Sequence, residues 1–120
     1  MTGRAEPWPE EAALIDFFSA LPERPVKYES TRDEPYYFEI ERGAQGLAIT
    51  IDPLDEIVDL TITETAGDGL VVDMKLRVSK LRLQTTSKGA FLLADCVNVA
   101  RIVLRVDPDI HLALTADYAD

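Results

Sequence analysis

The sequence predicts an α+β fold that is mostly β: an N-terminal helix packed on a curved antiparallel sheet of seven or eight strands. Three observations predict it. Apolar residues recur at helical spacing only in the first stretch, residues 7–21. After Pro35 the period drops to two and holds almost to the C-terminus. The connections between alternating stretches are short, so consecutive strands become neighbours in a meander. A sheet that long curls, which gives a roll or a half-open barrel around the helix. At 120 residues the chain reads as a single domain over 1–120, with the helix at 9–21 and the β-rich part at 35–115.

Pro7 and Pro9 punctuate the helix start, where a missing N–H costs nothing. Glu10 and Glu11 suit the positive end of the helix dipole. Leu14, Phe17, Phe18 and Leu21 fall on one stripe, and Pro22 and Pro25 stop the helix. Residues 22–34 read as a loop.

In 36–41, Tyr36, Phe38 and Ile40 alternate with Tyr37, Glu39 and Glu41. In 47–52, Leu47, Ile49 and Ile51 alternate with Ala48, Thr50 and Asp52. Gly43–Gly46 separates them as a hairpin loop, and pairing Ile40 with Ile49 puts the apolar set on one face. The next hairpin joins 57–64 to 70–78 through Ala66-Gly67-Asp68 and Gly69. Pairing Ile62 with Val72 then sets acidic Asp59 opposite basic Lys75. The alternation slips phase at Ser79-Lys80, the mark of a bulge or a tight turn. Thr85–Gly89 reads as a loop. Ala90–Ala94 is apolar without alternation, so it is expected to be covered on both faces, with the helix as the available lid. Val97–Val106 reads as one long strand with Arg101 and Arg105 on its polar side. Asp107-Pro108-Asp109 turns the chain, and Val106 opposite Ile110 continues the inner face.

Composition bounds the function. Residues 1–70 hold 16 acids and 5 bases, residues 71–106 hold 2 acids and 7 bases, and residues 107–120 hold 4 acids and no base. The net charge of −10 argues against general nucleic-acid binding, which needs a cationic surface to displace counterions. No apolar run approaches the length of a membrane span, and the first residues have the wrong charge order for a secretory signal. With a single cysteine, Cys96, no internal disulfide is available, which fits a reducing, cytoplasmic setting.

Candidate chemistry is sparse. Cys96 and His111 lack the signature of a nucleophile–base pair, so no catalytic residue is assigned. Asp52, Asp55, Glu56 and Asp59 crowd a turn without the ligand pattern of a calcium loop. The sequence implies no metal and no cofactor. Two surface clusters remain. Tyr37, Glu39, Glu41, Asp52, Asp55 and Glu56 combine acids with an aromatic anchor, the composition of a site for a basic protein partner. Lys75, Arg77, Lys80, Arg82, Arg101 and Arg105 form a basic patch if their strands are neighbours, unless Asp59, Glu64 and Asp73 neutralise it.

The sequence therefore points to binding rather than catalysis. Its first reading is a small acidic interaction protein, analogous in composition to immunity or inhibitor proteins that capture a basic partner. A second is a small-molecule binder or small enzyme, its pocket lined by Tyr36, Phe38, Met74, Phe91 and the helix phenylalanines. A third is a homo-oligomeric structural subunit, such as a homodimer joined through an edge strand.

Overall fold

The period-two alternation after Pro35 becomes a seven-stranded antiparallel sheet in which every strand pairs with its neighbour in sequence. The computed structural model describes residues 8–23, 35–64, 69–97, 100–107 and 109–115. Helix α1 (Glu11–Phe18) is followed by β1 (Tyr36–Arg42), β2 (Gln45–Asp52), β3 (Ile57–Glu64) and β4 (Gly69–Thr86). Then come β5 (Gly89–Cys96), β6 (Arg101–Arg105) and β7 (His111–Thr115). The sheet is curved but not closed into a barrel. The expected loop at 66–68, most of that at 22–34 and the acidic tail after Thr115 lie outside the described residues.

Helix α1 is shorter than its apolar period suggests. Ser19 takes a left-handed conformation at φ 55° and ends it. Leu14 and Phe18 are fully buried, but Leu21 lies beyond the stop and is 74% exposed, so it leaves the predicted stripe. The Phe18 ring packs on Phe38 of β1 at 4.6 Å, and Phe17 meets Phe18 edge-on at 4.9 Å. Burying such a ring contributes roughly 1.5–3 kcal/mol. Trp8 is half-buried against the same core.

The β1–β2 register differs from expectation by two residues. Ile40 faces Leu47 and Phe38 faces Ile49, because the turn is only Gly43-Ala44, with Gly43 at φ 61°. A two-residue shift preserves side-chain parity, so the same residues stay buried. From Ile57 to Ile62 the β3–β4 register is the expected one, with Ile62 opposite Val72 and Asp59 opposite Lys75. It shifts by one residue before the turn, where Thr63 faces Leu70 and Glu64 faces Gly69.

The phase slip at Ser79 is a bulge within one strand, so the count is seven rather than eight. Strand β4 runs 18 residues, pairs with β3 through its first half and with β5 through its second, and shifts register between Val78 and Lys80. The extra residue keeps Val78 and Leu81 in the core. The Ser79 hydroxyl donates to the Asp95 carbonyl at 3.1 Å, fastening the bulge to β5. The expected loop at 85–89 shortens to a turn, since Thr86 already pairs with Gly89.

Val97–Val106 is not one strand. β5 extends to Cys96, Val97 is 40% exposed, and β6 begins at Arg101. The Cys96 N–H donates to the Ala100 carbonyl at 3.0 Å, closing a turn inside the apolar run. Past it, Leu104 faces Leu112 and Arg105 faces His111, the register expected from Val106 opposite Ile110.

The inner faces of all seven strands meet in one core that runs from Phe38 through Leu60, Val78 and Leu92 to Leu104 and Ile110. Arg42, at the end of β1, shows how far the sheet curls. Its guanidinium donates to the Phe18 carbonyl at 3.1 Å and lies 4.0 Å from the Asp107 carboxylate after β6. One side chain thus satisfies an orphaned carbonyl at the helix end and links the two ends of the meander.

Candidate functional site: the outer face of the first hairpins

With the inner face consumed by the core, the outer face carries the surface chemistry. Antiparallel pairing sets opposite residues side by side, so the register gives its rows. Tyr37, Thr50, Asp59 and Lys75 form one row across β1–β4, and Glu39, Ala48, Thr61 and Asp73 form the next. A third continues through Glu41, Gly46 and Thr63. Small residues in the middle strand leave a depression between larger neighbours. It has a volume of about 510 Å³, and Glu23, Glu39 and Glu41 stand along one side with Thr61 and Thr63 on the other. Gly46 makes its floor possible: a Cβ there would come within 3.0 Å of the Thr63 hydroxyl.

Glu23 reaches this surface from outside the sheet. Its N–H donates to the Tyr37 carbonyl at 2.7 Å, an isolated bridge along the free side of β1. Tyr37 is consequently half-buried rather than the exposed anchor its parity suggested. Burial pushes its phenol pKa up, and the carboxylates of Glu39 and Glu23 push it further. Asp52, Asp55 and Glu56 belong to the turn between β2 and β3. The Asp52 carboxylate accepts from the Asp55 N–H at 3.3 Å, and Glu56 holds φ 58° while its carbonyl accepts from Val78 N–H at 2.9 Å. These three acids shape a turn, whereas Glu39 and Glu41 border the depression. Among the described residues, no group of three or more His, Cys, Asp or Glu is arranged to hold a metal ion.

The basic residues share the outer face but not one cluster. The bulge at Ser79 changes their parity, so Lys75 and Arg77 before it and Lys80 and Arg82 after it all stay out of the core. Strand β5 separates Lys80 and Arg82 from Arg101 and Arg105. Between them runs an apolar strip: Arg82 lies opposite Leu93, and Leu93 opposite Val103. Leu93 is only 7% exposed, whereas α1, the lid expected over this strand, packs on β1. The acids that meet these arginines are ones the sequence reading passed over. Arg101 binds Asp95 at 2.6 Å, and Arg105 binds Asp109 at 2.8 Å. Thr61 rather than a base contacts Asp73, donating to its carboxylate at 3.1 Å.

The residues expected to line a small-molecule pocket do not share one surface: Tyr36, Met74 and Phe17 are partly buried against the core. Phe38 and Phe18 are fully buried in the core, while Phe91 lies opposite Gln84 on the outer face. Cys96 and His111 also point away from each other. Cys96 is in the core, where burial raises its thiol pKa and the Asp95 carboxylate adds to the rise, while His111 is exposed on β7 with β6 between them.

This fold has a solved counterpart. A chain of the contact-dependent growth inhibition toxin–immunity protein complex from Klebsiella pneumoniae 342 superposes with a TM-score of 0.75. The match covers 92% of this chain and 96% of that one at 16% identity. No family model and no curated protein matches the sequence. At that identity the likeness shows a shared fold: one helix on a seven-stranded antiparallel meander.

Glu39 and Glu41 are the predicted site residues that flank the depression. Sequence reasoning missed Glu23, Gly46, Ala48, Thr61 and Thr63. One signal was present: Gly46 and Ala48 are small residues at outward positions of a strand whose other outward residues are larger.

Proposed function

We propose that this chain is an acidic binding protein that captures a basic protein domain on the outer face of β1–β3, as an immunity protein captures its toxin. The depression lined by Glu23, Glu39 and Glu41 carries the reading. It offers a recess for a lysine or arginine of the partner, with the Thr61 and Thr63 hydroxyls as further acceptors. Tyr37 and the acidic turn at Asp52, Asp55 and Glu56 extend the same negative end of the molecule. An excess of 11 acids over bases in residues 1–70 steers a cationic partner toward that end and speeds capture.

The fold it shares with a chain of a toxin–immunity protein complex supports the reading. Of the two roles in such a complex, the inhibitory one suits the acidic surface of this chain, which complements a basic partner. A reducing cytoplasm suits the buried thiol.

The experiment is capture on the immobilised chain across a salt series. A basic protein retained at low salt and released at high salt is the expected result. The double variant Glu39→Lys/Glu41→Lys should abolish retention, while Lys80→Glu/Arg82→Glu should leave it intact. Retention unaffected by the glutamate variants would overturn the reading.

A further inference from the structure

The sheet has two edges, and they are built differently. Strand β1 carries Glu39, Glu41 and Arg42, and the Glu23 bridge occupies part of its free side. Charges and a covering segment are the usual guards against edge-to-edge pairing. Strand β7, sequence HLALT, has no Lys, Arg, Asp, Glu or Pro. Among the described residues no strand pairs with its outer side. Leu114 at its end is 57% exposed, and Leu112 is half-buried against the core.

We propose that β7 pairs with β7 of a second copy, joining two meanders into one continuous antiparallel sheet. A two-fold axis at Ala113 sets Leu112 opposite the partner's Leu114 and His111 opposite the partner's Thr115. All five residues are then matched, and parity is preserved, so each exposed Leu114 gains an apolar neighbour on the inner side. The contact is isologous, which closes the assembly at two copies. Charge favours a second copy at this edge over the other. Residues 1–70, which include β1, hold 16 acids and 5 bases, whereas residues 71–120, which include β7, hold 6 acids and 7 bases, with Arg101 and Arg105 paired to Asp95 and Asp109. Pairing through β7 places the acidic ends far apart, whereas pairing through β1 would press them together. The depression on β1–β3 stays open in the dimer, so this inference stands or falls separately from the binding function.

Analytical ultracentrifugation of the full chain across a dilution series tests it. The expected result is a dimer that Leu114→Lys converts to monomer, halving the mass while leaving the circular dichroism spectrum unchanged. A second variant guards against misfolding. Opposite residues in such a pair sit about 4.5–5.5 Å apart between Cα atoms, within disulfide reach, so Ala113→Cys should cross-link two copies under mild oxidation. Glu39→Cys, on the β1 edge, should not. A monomer at every concentration overturns the proposal. So does a dimer that fails to cross-link through Ala113→Cys, or one that cross-links through Glu39→Cys instead.

Discussion

The β1–β3 end and the β5–β7 end of this sheet share one core and present opposite chemistry outward. At the first end the outer rows hold Glu39 and Glu41 around small residues, and α1 covers the inner side through Phe18. At the second end the outer rows hold Arg82, Arg101 and Arg105 around Leu93 and Val103, and Asp95 and Asp109 tie down two of the arginines. The acids at the first end are grouped around a recess, while the bases at the second are partly spent on internal ion pairs. Sign alone therefore does not make a site; local pairing decides which charges remain for a partner. Strand β4 carries both chemistries, and its bulge at Ser79 lets one strand serve two registers without turning bases into the core.

Both ends share one core and should fold as one unit, and the largest expected effects test this. Phe18→Ala removes the ring that seals the first end and should cost about 3–5 kcal/mol in denaturant unfolding. Leu104→Ala at the second end should cost about 2–5 kcal/mol. Each should shift a single transition; two separate transitions would show that the ends fold independently. Arg42→Ala should cost about 1–2 kcal/mol, because it leaves the Phe18 carbonyl without its donor and cuts the link to Asp107. A change indistinguishable from zero would mean that the sheet curls without this link.

A smaller effect separates the ends by pH. Tyr37 at the first end and Cys96 at the second both have raised pKa values, chiefly from burial. Below the ordinary thiol and phenol pKa values both groups are protonated, folded or unfolded. As pH rises through those values the unfolded chain ionises first, so stability falls until the folded-state pKa values are passed. Cys96→Ala should flatten the onset of the fall and Tyr37→Phe its more alkaline part, as read by unfolding midpoints. The Cys96 thiol should resist a thiol reagent until the chain is denatured. Rapid labelling of the native protein would contradict its burial.

Which of these features were legible in the sequence follows from physical range. Ile62 opposite Val72 could be read because alternation on both strands fixes their inward faces, while the one-residue shift between that pair and the turn left no trace in the alternation. Ile40 was assigned the wrong partner because Gly43–Gly46 reads as a loop, while only Gly43 and Ala44 form the turn. Its face survived because the error was even. Leu21 continues a helical period, but Ser19 ends the helix through a backbone conformation that no periodicity reports. Val97 sits between apolar stretches where the sequence offers only Asn98, with no glycine or proline, to mark a turn. The acids Glu39 and Glu41 were legible as a charged face. The depression beside them was not, since it depends on which small residues the register places between β1 and β3. Glu23 was hidden because its position rests on a single backbone bridge made from outside the sheet.

Carboxyl footprinting of the chain with its captured basic partner, read by mass spectrometry, tests the central claim most directly. Binding at the acidic recess predicts that Glu39 and Glu41 become protected from carbodiimide-driven labelling while Asp107 and Asp109 stay as reactive as in the free chain. Protection confined to Asp107 and Asp109, with Glu39 and Glu41 still labelled, would contradict it.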